Sequence, residues 1–156
     1  MTSQETSSAD AKAREFGELF ARRIPHGLDI GMQVEDAGAD GKTRVRLAPR
    51  PHLSGDNGGA FFFPGVLFSL ADSACGLAVM RALERVVPIA TLDMRIDHLA
   101  PATMDAELCA QAECYRMTRT VAFTRCEVIA GPASKLVAVV MGTFMLSSST
   151  PRGSRA

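Results

Sequence analysis

The sequence predicts an α+β fold: one long central helix wrapped by a curved, mostly antiparallel β-sheet of about six strands. Three observations carry this. The run Phe61 to Leu83, FFFPGVLFSLADSACGLAVMRAL, is apolar at helical spacing and largely apolar on its remaining sides, so the helix it forms is buried nearly all round. The segments on either side alternate apolar and polar residues with a period of two, as strands with one wet face do. Among so many strands, such a helix can hide its surface only if the sheet curls around it.

Residues 1–9 are polar and read as a flexible N-terminus, residues 10–146 as a single domain, and residues 147–156, rich in Ser and Arg, as a flexible tail. Between Asp10 and Ile24, Phe16, Leu19, Phe20 and Ile24 recur at helical spacing, and Pro25 is expected to close that helix. Ile30, Met32 and Val34 then alternate as a strand. A turn at Gly38 to Gly41 follows, and Val45 and Leu47 alternate with Arg44 and Arg46, giving an antiparallel pair. Pro49 to Phe62 is a long Gly-rich loop, the kind of segment in which compact domains place function.

Pro64 suits the first position of the central helix, because its missing N–H is one the helix cannot use and its fixed φ fits a helix start. Between Asp56 and Arg81 the only charged residue is Asp72. An ionised carboxylate buried without partners costs several kcal/mol, so Asp72 is neutralised, finds donors, or faces a water-accessible cleft. The plainer alternative is an exposed stripe shared with Ser69 and Ser73. After the helix, Ala90, Leu92, Met94 and Ile96 face one way and Thr91, Asp93, Arg95 and Asp97 the other. Ala106 to Cys114 and Thr120 to Ala130 alternate in the same manner. Gly131-Pro132 makes a turn, and Leu136 to Leu146 is apolar throughout, as a central strand should be.

Composition excludes several classes of function. The 156 residues carry 17 basic and 17 acidic side chains with no basic cluster, which argues against nucleic acid or an anionic membrane as the main partner. Cys75, Cys109, Cys114 and Cys126 show no CxxC spacing and read as small buried hydrophobes, not as zinc ligands or disulfides. No metal site is expected. The N-terminus has no apolar core for a signal peptide and no window reads as a bilayer span, so a cytoplasmic protein is expected.

The strings Gly65-Val66-Leu67-Phe68-Ser69-Leu70-Ala71-Asp72-Ser73-Ala74-Cys75-Gly76 and Ala90-Thr91-Leu92-Asp93-Met94-Arg95-Ile96-Asp97-His98-Leu99-Ala100-Pro101, with Gly142-Thr143-Phe144 near the end, resemble the PaaI-like acyl-CoA thioesterases of the hotdog fold. The resemblance covers roughly Gly27 to Leu146 and is specific in the helix and the strand after it. It implies hydrolysis of an acyl-CoA thioester to free acid and coenzyme A, with coenzyme A entering as part of the substrate and no other cofactor. It implies a homodimer or homotetramer with clefts at the protomer interface. By residue-by-residue carry-over, Asp72 is the general base or nucleophile, Asn57 orients the thioester or water, and Thr91 holds the attacking water. Phe62 and Phe68 suggest an apolar slot, and Arg116, Thr118 and Arg119 occupy the hairpin where the family places contacts to the coenzyme A nucleotide.

One departure stands out. Where the family reads His-Gly-Gly, this chain has Phe63-Pro64-Gly65, and Pro64 has no N–H to polarise the thioester carbonyl. The positive end of the helix dipole and the next amides, of Gly65 and Val66, are expected to take over as oxyanion donors. Two alternatives remain. The Pro-Gly-Val-Leu string also resembles the hotdog 3-hydroxyacyl dehydratases, but the only nearby upstream histidine is His52 and the expected acid position is Leu70. The missing donor also fits a protein that binds acyl-CoA as a sensor or carrier without turning it over. His26 and His98 read as structural.

Overall fold

The computed structural model describes residues 24–35, 40–83 and 87–147. The expected flexible N-terminus, all but the last residue of the helix expected from Asp10 to Ile24, part of the turn before Asp40, and the tail after Ser147 lie outside the described residues. Pro25 is the first residue of a helix not expected from the sequence: α1 spans Pro25–Ile30. Gly31 ends it in the left-handed conformation, φ +86°, where its N–H reaches the Gly27 and Leu28 carbonyls. Ile30, expected in a strand, is thus the last helical residue, and β1 runs over Met32–Glu35.

The remaining elements are β2 (Thr43–Leu47), α2 (Pro64–Ala82), β3 (Ile89–His98), β4 (Leu108–Met117), β5 (Val121–Ala130) and β6 (Lys135–Leu146). All neighbouring strands are antiparallel, in the order β1-β2-β4-β5-β6-β3. The sheet curls around α2, whose Leu67, Leu70, Ala71, Ala74, Cys75, Leu77, Ala78 and Val79 are all buried. Opposite them lie the inward side chains of the sheet, among them Val45, Leu47, Leu108, Val128, Val140 and Phe144. By length and composition α2 does satisfy the test for a membrane span, with a mean hydropathy of 1.3, contrary to the expectation above. A core helix meets the same test, and here the sheet covers the apolar surface.

The strand alternation predicted for β3 breaks at one point. Thr91 pairs with Phe144 and Asp93 with Thr143, so Leu92 is an extra residue bulged out of the ladder. Thr91 therefore faces inward with Met94 and Ile96, while Asp93, Arg95 and Asp97 face out. Leu92 itself is 54% exposed. β3 is also an edge of the sheet, with β6 on one side and, among the described residues, no strand on the other.

The outer face of the sheet is divided. Over β1, β2 and β4, Arg46 bridges Glu35 and Glu107, Arg44 pairs with Asp40, and further along Arg125 pairs with Glu113. Over β5 and β6 the face turns apolar, with Met141 and Met145 exposed and Phe123 6.4 Å from the Tyr115 ring between centroids. All four cysteines are free; three are buried and Cys114 is half-buried.

Leu70 is fully buried at the centre of α2. Replacing it with alanine removes its contacts and leaves a cavity, a change that typically costs about 2–5 kcal/mol. Leu70→Ala should lower the urea midpoint accordingly at fixed protein concentration, with the slope of the transition unchanged.

Candidate active site

The carboxylate of Asp72 sits two turns into α2, half-buried, at the seam between the helix and β3. Thr91 reaches across that seam, and its hydroxyl donates to Asp72 Oδ1 at 2.8 Å. Only the bulge at Leu92 makes this possible: in an unbroken strand that keeps Met94 and Ile96 inside, Thr91 would point away from the helix. Asp72 and Thr91 share the wall of a cavity of about 280 Å³, whose remaining lining is apolar apart from Ser73 and includes Leu77, Met80, Ile89 and Phe144. A carboxylate holding a hydroxyl at the mouth of an apolar slot can take a proton from water, or attack directly, next to a bound apolar chain.

The long loop before α2 is tightly built. Phe62 and Phe63 N–H groups bond to the Ala102 and Leu53 carbonyls, and Met104 N–H bonds to the Ala60 carbonyl, each at 2.9 Å. Inside the loop the Asp56 carboxylate accepts the N–H groups of Gly58, Ala60 and Phe61 and the hydroxyl of Ser54. Those bonds, led by Phe61 and Ala60, hold the Asp56 carboxyl below its ordinary value of 3.8. Gly55 is needed for closeness: a Cβ there would come within 2.9 Å of Phe63 Cα. Asn57 is thereby presented, exposed, at the tip of the loop.

The first turn of α2 starts at Pro64, and the Val66 N–H is already bonded to the Phe63 carbonyl at 2.9 Å. This corrects the expectation that Val66 offers a free donor: the chain tightens to an i to i−3 bond at the helix start. Among the described residues no acceptor meets the Gly65 N–H, so Gly65 remains as a donor at this end. Phe62 is buried, 4% exposed, and lines a second cavity beside Pro64 together with Leu67 and His98. Phe68 is exposed and lies on neither cavity wall.

His98 is exposed, not buried in the apolar core, and His26 stands 3.3 Å from the Ser69 hydroxyl, closing α1 onto α2. Arg116, Thr118 and Arg119 are all exposed in the β4–β5 hairpin. Thr118 is occupied by the turn itself, its hydroxyl accepting the Val121 N–H and donating to the Val121 carbonyl. The two arginines have no acidic partner among the described residues. Their hairpin lies at the Ile89 end of β3, since the Thr120 carbonyl accepts from the Leu146 N–H and Leu146 pairs with Ile89. Among the described residues no group of three or more His, Cys, Asp or Glu is placed to hold a metal.

Two parts of this arrangement are absent from the sequence reading, although each leaves a signal. Asp56 belongs to a Ser-Gly-Asp-Asn-Gly string, a readable turn signal. Gly76 and Met80 follow Asp72 at intervals of four, which puts all three on one face of the helix.

Residues 59–136 match the family profile described as the thioesterase superfamily. No curated protein matches the chain. A solved Pseudomonas aeruginosa structure is 30% identical, with TM-score 0.72 over 84% of this chain and 96% of that one. The phenylacetic acid degradation protein PaaI from Thermus thermophilus, in a mutant form, is also 30% identical, with TM-score 0.66 over 78% of this chain and 97% of that one. The E. coli PaaI protein from the phenylacetic acid degradation operon, at 19% identity, shares the fold, with TM-score 0.75 over 91% of this chain and 98% of that one.

The depressed value at Asp56 has a definite sign. Order that depends on the ionised carboxylate is complete above its unfolded value near 3.8 and is lost as pH falls below that, through the lower folded value. An NMR pH titration should show the Gly58, Ala60 and Phe61 amides shifting together only below pH 3.8. Asp56→Ala should speed exchange of those amides by about tenfold or more at neutral pH while the α2 amides stay protected.

Proposed function

Because the chain belongs to the thioesterase superfamily, we propose that it hydrolyses an acyl-CoA thioester to the free acid and coenzyme A, with Asp72 as general base or nucleophile. The observation that carries this is the Asp72–Thr91 pair on the wall of an apolar cavity. As a base, Asp72 takes a proton from a water held by Thr91, the water oxygen bonds to the thioester carbon, and the carbonyl oxygen becomes an oxyanion. An N–H donor stabilises that oxyanion. The C–S bond then breaks, the thiolate of coenzyme A leaves with the proton, and the free acid remains. As a nucleophile, Asp72 bonds to the thioester carbon, the C–S bond breaks to expel coenzyme A thiolate, and water then opens the acyl anhydride to the free acid and the Asp72 carboxylate.

A single chain does not bring these parts together. Gly65 and Asp72 are seven residues apart on α2, or roughly 10 Å along the axis, whereas a reacting carbonyl must lie about 3 Å from both donor and base. Two copies related by a twofold axis can set Gly65 of one against Asp72 of the other. The open edge of β3 supports that pairing, since a ten-residue strand with one side unpaired is a template for another strand. The reading is therefore a homodimer, or a dimer of dimers, with sites at the interface and the Arg116 and Arg119 hairpin near the nucleotide. Asn57 and Thr91 are the groups we assign to positioning the thioester and the water. We place the activity in the cytoplasm.

Pro64 favours a second reading, binding without turnover, because it removes an oxyanion donor and leaves the slot intact. Loss of one such donor costs about 10²-fold or more in rate. A thiol-release assay over a panel of acyl-CoAs decides between the two: clear wild-type turnover disposes of the binding-only reading. Asp72→Asn should then lower kcat by about 10²-fold or more with the fold unchanged by circular dichroism, since the amide keeps the shape and loses the base. Undiminished turnover in Asp72→Asn would overturn the assignment. Light scattering at micromolar concentration should give the mass of a dimer or tetramer, and a stable, active monomer would defeat the shared site.

A further inference from the structure

Gly76 is the one glycine in the interior of α2; the other, Gly65, belongs to its first turn. A glycine inside a helix is destabilising relative to alanine, so its presence calls for a local reason. Backbone conformation supplies none, because Gly76 is not among the positive-φ residues. Crowding supplies none either: a Cβ at this position would lie 3.5 Å from Ile89 Cδ1 and 3.9 Å from Phe144 Cε1, both ordinary contacts. Alanine would fit, fill space and strengthen the helix. What glycine provides here is room, and the room is in the Asp72 cavity, one helical turn beyond the carboxylate on the same face.

We infer that Gly76 sets the size of the acyl group the site accepts, keeping open the stretch of the slot between Asp72 and Met80. This rests on the thioesterase reading and names its substrate range. A dry cavity of about 150 Å³ holds benzene, six carbons. On that scale the 280 Å³ walled by one protomer takes a hydrocarbon group on the order of ten carbons. Each carbon added at position 76 displaces about one carbon of acyl group. Gly76 is in this sense a specificity-determining residue.

The test uses S-alkyl-CoA thioethers carrying two, six or ten carbons, which bind but cannot be hydrolysed, so it does not depend on turnover. Affinities are measured by calorimetry for wild type, Gly76→Ala and Gly76→Leu. In Gly76→Ala the ratio of ten-carbon to two-carbon affinity should fall about fourfold, the equivalent of one lost methylene. At the same time Tm should rise, a change in the opposite direction that a purely structural role would not couple to chain length. In Gly76→Leu, which adds four carbons, the ratio should fall by about a hundredfold or more, by the same measure. An unchanged ratio in Gly76→Ala, or a lowered Tm, overturns the inference even if Gly76→Leu fails to fold. Failure of wild type to bind any of the thioethers overturns instead the acyl-CoA reading beneath it, so the two failures are told apart.

Discussion

Hiding a helix that is apolar on nearly every side is the constraint from which the rest of this structure follows. α2 is buried over nine of its residues, and no flat sheet could reach that much of its circumference. The sheet has to curl, and its central strands take the part of the helix surface that is wholly apolar. Small side chains suit a close approach: Ala71, Ala74 and Ala78 on the helix and Ala110, Ala112 and Ala138 on the strands all belong to the same buried core. The curl ends at β3, which covers the helix only in part. At that seam a polar residue on α2 can reach water, and Asp72 is there.

The position of Asp72 thus has the same origin as the fold. A carboxylate at Leu70, Ala71, Ala74, Cys75 or Ala78 would be sealed under the sheet and would need a buried cation to offset its desolvation. At the seam it needs only the Thr91 hydroxyl and access to solvent. Apolar cavity, carboxylate and open strand edge are three aspects of one geometric fact, the incomplete closure of the sheet on the β3 side. The start of the helix is set by different forces, those of the Asp56 turn and the strand-like pinning of the loop, and it lies about 10 Å away.

Much of this is legible in the sequence. The burial of α2, its start at Pro64, the strand count and the isolation of Asp72 all come from periodicity and from the scarcity of charge in an apolar run. The departures have specific causes. The short helix α1 is missed because proline suits both the residues just past a helix end and the first turn of a new helix, and Pro25 opens one. Thr91 falls on the outer face only if the ladder is unbroken; a one-residue bulge inverts that parity, and Leu92 carries no mark of it. The Val66 amide counts as free only if the first turn is α-helical, whereas it tightens to reach the Phe63 carbonyl. Gly76 is visible as a glycine in a helix, but its neighbours across the cavity come from distant strands and are known only in three dimensions.

The bulge at Leu92 also bears on which molecules can lie alongside this protein. A long, straight, open strand accepts almost any extended chain, its own or foreign, and invites endless addition. Here the rim of the sheet is kinked in its first half, with a leucine standing out at the kink and alternating charges, Asp93, Arg95 and Asp97, beyond it. A flat stranger would leave backbone groups unmatched on one side of the kink and meet like charges on the other. A strand bent in the same place, running the opposite way, is the shape that answers it. The residue that turns Thr91 toward Asp72 therefore also makes the edge selective, so that discrimination between strands and the aim of the Thr91 hydroxyl depend on the same irregularity.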